Sequence, residues 1–214
     1  MGTNTIRSVI AAARLKETQT RALLGDFSRQ LPQLRERLLL PEDNAAAQLV
    51  NFVEQYIEYV PVFIDNVTRI SKNLGLYRYI SPFLYMAEDF FLAPPEQLEQ
   101  EVGLRAILDE AFLAQRLIEE VNDLHIRHYQ RPLLPLDMTR ANIIVHHLIG
   151  DQLANSLDAL VEHTVQRLVV REHLFQQNPP LPEQMSPERW RDLPCLSRDA
   201  DVDLRLGSAL HMPA

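Results

Sequence analysis

Apolar side chains recur at three- and four-residue intervals from about Asn4 to about Gln176, and in no stretch do they alternate with polar ones. A period near 3.6 lines such residues along one face of a helix, whereas a half-buried strand needs a period of two. The chain is therefore expected to be all-α, an antiparallel helical bundle of about five main helices. Only six glycines occur in 214 residues, and several fall where helices could end, so connections should be short.

The first helix is expected from about Asn4 to Leu31, with Ile6, Val9, Ile10, Ala13, Leu24, Phe27 and Leu31 inward, bent or restarted at Pro32. Pro41, Glu42 and Asp43 then suit a helix start, because proline tolerates the first turn and carboxylates favour the positive end of the dipole. The second helix runs to about Asn73 on a wide stripe of Leu49, Phe52, Val53, Tyr56, Tyr59, Val60, Phe63, Val67 and Ile70. It should be the most buried element, kinked at Pro61 because the period runs through the proline in phase, and ended by Gly75. Ser81 and Pro82 resemble an N-cap and first-turn proline for a short third helix through Phe91, which Pro94 and Pro95 stop.

A fourth helix spans Leu104 to about Tyr129. A fifth, capped by Asp137 or Thr139, continues to about Gln176. Together, Gly103 to His173 hold six of the seven histidines, so any site built on imidazole should sit there. Residues 1–177 should form the bundle domain and 178–214 a proline-rich tail without a fold of its own, since Pro179, Pro180, Pro182, Pro187 and Pro194 crowd into it. The tail is expected to pack across the bundle, with Trp190 docked, because so large an apolar surface is costly to leave in water.

Charge and motifs narrow the function classes. A net charge of -8 with 21 scattered Lys and Arg argues against a nucleic-acid partner, and acidity disfavours an anionic membrane surface. No run of about 18 apolar residues is present to span a bilayer. Ile6 stands where a myristoylation signal needs Ser or Thr, and the first residues lack the charged and apolar regions of a secretory leader. A single cysteine, Cys195, precludes an internal disulfide, in keeping with a cytoplasmic location. Only Arg191 and Arg198 are near enough in sequence to activate its thiol, so a catalytic role is not expected. Neither a glycine-rich phosphate loop nor a Gly-x-Ser-x-Gly elbow occurs.

Projection at about 100° per residue sorts the polar groups. Glu54, Glu58 and Asp65 fall opposite the stripe of the second helix, and Glu119, Glu120 and Asp123 fall away from Ile107, Ala114, Leu117, Ile118 and Val121, so both sets are expected at the surface. The inward polar groups are Glu17 and Thr20 on the first helix, Glu110, His125 and His128 on the fourth, and His146 and His147 on the fifth. Asp151 follows His147 by four residues at the edge of the same face, and Asp158 continues that edge.

Buried carboxylates and imidazoles are costly unless satisfied, so these groups should either hydrogen-bond one another or hold a ligand. One reading is a metal site for iron, manganese or zinc, with His147 and Asp151 as first ligands and Glu110, His125 and Glu17 completing the shell. Against it, the Glu-x-x-His pairs usual in di-metal bundles are missing; Glu162-His163 and Glu172-His173 are adjacent pairs that face different directions. The other reading is a binding or regulatory helical module without catalysis, taking a small-molecule ligand and free to self-associate as a homodimer or other homo-oligomer. The second is preferred; a metal-dependent oxidoreductase is the alternative.

Overall fold

A computed structural model describes residues 2–73, 75–93, 103–130, 132, 138–171 and 202–205. Among them are seven helices: α1 (Thr3–Thr20), α2 (Ala22–Arg37), α3 (Ala45–Asn73), α4 (Tyr77–Leu92), α5 (Leu104–Tyr129), α6 (Thr139–Ile149) and α7 (Asp151–Arg171). The all-α expectation holds, with one small addition. Strands β1 (Leu38–Leu39) and β2 (Asp203–Leu204) pair antiparallel, Leu38 opposite Leu204 and Leu39 opposite Asp203. Trp190, Cys195, Asp137, the His128 side chain and most of 178–214 lie outside the described residues. No described helix is long and apolar enough to cross a membrane.

Seven helices replace the expected five because two of the long ones are broken by single residues. Arg21 adopts φ 50 and closes α1 through its N–H on the Glu17 carbonyl at 2.8 Å. The Glu17 carboxylate then accepts from the backbone amides of Leu23 at 3.0 Å and Leu24 at 3.1 Å. These are among the amides that α2 cannot satisfy within itself, so a side chain of one helix caps the next. Pro32 does not restart the segment: it lies inside α2. The second break is Gly150, at φ 92, a conformation that favours glycine. Its N–H meets the His146 carbonyl and its own carbonyl receives the Ala154 N–H, so one residue ends α6 and starts α7. Arg105 of α5 donates to the carbonyls of Leu148 at 3.1 Å and Ile149 at 3.3 Å, capping the end of α6.

Other boundaries shift by a few residues. α3 starts at Ala45 rather than at Pro41 to Asp43, after Asn44 at φ 56, and continues through Pro61. Gly75, at φ 69, donates to the Lys72 carbonyl and Leu76 to the Ser71 carbonyl, the paired bonds of a Schellman close. The carbonyl of buried Leu76 then receives the Ile80 N–H, so α4 begins at Tyr77, ahead of Ser81, and Pro82 lies within it.

α5 is the axis of the fold. It packs against α1, α3, α4, α6 and α7, and five consecutive residues, Ala111, Phe112, Leu113, Ala114 and Gln115, are all buried. A helix with neighbours on more than one face has no single apolar stripe. The expectation that α3 would be the most enclosed element is corrected on this point: its broad aromatic face is buried, while Glu58 and Asp65 stand in solvent. There Arg7 pairs with Asp65 at 3.0 Å, and Arg14 with Glu58 and, at 3.4 Å, Glu54, each across from α1.

Gly150→Ala is predicted to lower stability by about 1–3 kcal/mol through backbone strain alone, since no atom lies within 4 Å of a Cβ built there. Gly25→Ala, in the interior of α2 with equally open space, should instead stabilise by about 0.5–1 kcal/mol. Urea denaturation of the two variants checks both signs.

Candidate functional site

Tyr56, fully buried on α3, begins a continuous run of polar contacts that leads out of the core. Its backbone carbonyl accepts from the Gln115 side-chain amide at 2.8 Å, and its hydroxyl donates to Asn142 Oδ1 at 2.6 Å. Asn142, buried on α6, donates through Nδ2 to Glu119 Oε2 at 2.5 Å, and the Thr139 hydroxyl donates to Glu119 Oε1 at 2.5 Å. Arg116, one turn earlier on α5, donates to Glu119 Oε2 at 2.6 Å and, through Nε, to Asp158 Oδ1 of α7 at 2.8 Å. Asp158 Oδ2 lies 3.5 Å from His146 Nδ1, and His146 Nε2 lies 3.6 Å from Asp151 Oδ1. Arg37, at the end of α2, donates to both Asp151 oxygens at 2.7 and 2.9 Å.

The charges along this run are mutually supporting. Burial pulls the Arg116 guanidinium down, but the Asp158 hydrogen bond and the charges of Glu119 and Asp158 outweigh it and hold the pKa above its ordinary value. A buried ion pair repays its desolvation only when further hydrogen bonds satisfy it, which Asn142 and Thr139 do for Glu119. Burial, and then the Glu119 charge, push the Tyr56 hydroxyl well up. Burial also raises Glu120 and Asp123, although Arg127 donates to Glu120 at 2.7 Å.

Between α5, α6 and α7 the network forms the wall of a cleft of about 450 Å³, lined by Phe112, Arg116, Glu119, Asp123, Thr139, Asn142, Ile143, His146 and Asp158. Beyond His146 lies a second hollow of about 420 Å³, whose walls include Gln30, Gln33, Glu36, Arg37, Arg105, His147 and Asp151. A larger depression of about 600 Å³ beside Met86, His163, Arg167 and Val170 shares no residue with the network. Size alone therefore does not select the site; the ordered polar wall does.

The residues expected to form a metal shell are distributed over the fold. His147 and Asp151 do adjoin, with Nδ1 and Oδ1 4.0 Å apart, but Asp151 is engaged by Arg37. Glu17 is buried with both carboxylate oxygens on α2 amides. Glu110 and buried His125 are on the one unbroken α5, and a separation of 15 residues places them about 22 Å apart, too far to share an ion. Among the described residues no three His, Cys, Asp or Glu side chains are gathered so as to hold a metal ion. Thr20, expected inward, is exposed and donates to the Lys16 carbonyl.

Glu119 and Glu120 require a correction. They were expected at the surface, yet their side chains are only 11% and 14% exposed. Projection onto one apolar stripe assumes a single buried face, and α6 and α7 cover a second face of α5. Asp123 is exposed, at the cleft rim. Arg37 and Arg116 are members of the network that the sequence reading did not single out. Arg116 had a sequence signal, since it precedes Glu119 and Glu120 by three and four residues. Arg37 had none, its partner being 114 positions away.

No known protein family, curated protein or solved structure matches the chain, so the site rests on this geometry.

Tyr56→Phe leaves Asn142 Oδ1 buried without this donor and is predicted to cost about 1–3 kcal/mol in urea denaturation. A second prediction concerns Glu110, whose carboxyl is pushed up to about 7 by burial and then by Asp109, from an ordinary 4.5. The folded state therefore binds the extra proton, and stability falls as pH rises between those values. Glu110→Gln should be more stable than the parent near pH 8, by roughly 1–2 kcal/mol after solvent screening, with the gain gone near pH 4.

Proposed function

We propose that the protein is a binding or regulatory helical module without catalysis, and that its ligand site is the cleft between α5, α6 and α7. The observation that carries this reading is Asn142: 3% exposed, it uses both ends of its amide to tie the core hydroxyl of Tyr56 to Glu119 at the cleft wall. A wall fixed in this way is organised before a ligand arrives, which lowers the entropic cost of binding.

The chemistry of the wall favours a small cationic, donor-rich ligand. Glu119, Asp123 and Asp158 face the cleft against one guanidinium, Arg116, with Phe112 and Ile143 as apolar surface. The carboxylates of Glu119 and Asp158 are already oriented by Arg116, Thr139 and Asn142, an arrangement suited to recognition rather than proton transfer.

Titration with small primary and quaternary ammonium compounds, read by amide chemical shifts, tests the reading. A binder should move resonances of Glu119, Thr139, Asn142 and Asp158 and stabilise the protein by about 1.4 kcal/mol at tenfold excess over Kd. Ile143→Trp, which fills the mouth from a half-exposed position, should abolish both effects. Shifts confined to other surfaces, or retained in Ile143→Trp, would refute the assignment of this cleft.

A further inference from the structure

We propose that residues 202–205 form a strap that holds the first turn of α6, and through it Thr139 and Asn142 of the cleft wall, so that release of the strap loosens that wall. The coupling concerns α6 itself and does not depend on which ligand the cleft takes.

The first turn of α6 is weakly held by its own sequence. Met138, which precedes it, supplies no side-chain cap, and no acidic residue stands in the turn. Its charged residue is instead a cation, Arg140, at the end of the helix where the dipole favours an anion. The compensating carboxylates come from other elements. On one side Glu119 of α5 accepts from the Thr139 hydroxyl and the Asn142 side-chain amide. On another, Asp203 of the strap pairs with Arg140. Asp203 is itself oriented, since its Oδ1 also accepts from the Leu204 N–H at 2.6 Å. Successive residues, Thr139 and Arg140, are thus gripped by α5 and by the strap, and both grips require the same turn to be formed.

The strap has a seat of its own apart from Arg140. β2 pairs with β1, Val202 is buried, and the Arg205 N–H donates to the Arg37 carbonyl at 2.8 Å. It therefore ties the end of α2 to the start of α6. Arg140 and Asp203 are both partly exposed, so their pairing is worth little alone, but a single helical turn opens readily and a small bias shows in its exchange. Because the two grips share one turn, coupling runs both ways: loosening either loosens the other.

Amide hydrogen exchange on the full chain at constant neutral pH tests this. Arg205 reports strap docking; Asn142, whose N–H meets the Met138 carbonyl at 2.8 Å, reports the first turn of α6; and Ala154, at the start of α7, is the control. Val202→Asp places a charge where an apolar side chain is buried, so protection at Arg205 should be lost. In the same variant Asn142 protection should fall about fivefold, with Ala154 unchanged. Asp203→Asn keeps an acceptor for the Leu204 N–H but gives up the charge, and should lower Asn142 protection about twofold without disturbing the core. Conversely, Thr139→Val cuts the grip of α5 and should lower protection at Arg205. Arg205 protection retained in Val202→Asp, Asn142 protection unmoved once the strap is released, a fall that includes Ala154 equally, or an Arg205 amide indifferent to Thr139→Val would each overturn the proposal.

Discussion

The hydrogen bonds from Tyr56 to Asn142 and from Asn142 to Glu119 fix the relation of three helices to one another. α3 supplies the phenol, α6 the amide and α5 the carboxylate, and each heavy-atom separation is 2.6 Å or less. An apolar contact tolerates sliding, whereas a buried amide whose partners are lost costs the desolvation of every group left unmade. The position of α6 is thus tied to the core, and with it Thr139, His146 and His147. The break at Gly150 then directs α7 so that Asp151 and Asp158 return to the same side.

The network also grades from dry to wet. Tyr56 and Asn142 lie in the core, Arg116 is 20% exposed on its side chain, and Arg37 is 50% exposed. Interactions at the dry end are strong and insensitive to salt, and they serve to position; those at the wet end are screened and weak. The two hollows on either side of His146 therefore differ in kind. One has a wall set by the core, and the other has a wall set by groups that solvent can reach.

Much of this fold can be read from the chain. The extent of α5 from Leu104 to Tyr129, the close of α3 at Gly75, the inward stripe of α3 and the burial of Glu17 and His125 all follow from periodicity and from glycine. The breaks at Arg21 and Gly150 do not follow in the same way, because both lie within apolar patterns that continue in phase. What decides them is tertiary: a carboxylate from α1 capping α2, and Arg105 from α5 capping α6. Glu119 shows the same limit for the site. A helix packed on several faces buries polar groups wherever a neighbour supplies partners, and those partners, Thr139 and Asn142, lie 20 and 23 positions away. Two histidines of the histidine-rich stretch, His146 and His147, are in or beside the network. The stretch itself could not reveal that guanidinium groups face its aspartates.

The central claim is that core and cleft wall form one cooperative unit joined by Asn142. A double-mutant cycle between Tyr56→Phe and Glu119→Gln, measured by urea denaturation, tests it directly, because that amide joins the two side chains. A coupling of about 1 kcal/mol or more is predicted, whereas losses that add to within about 0.5 kcal/mol would contradict a single network.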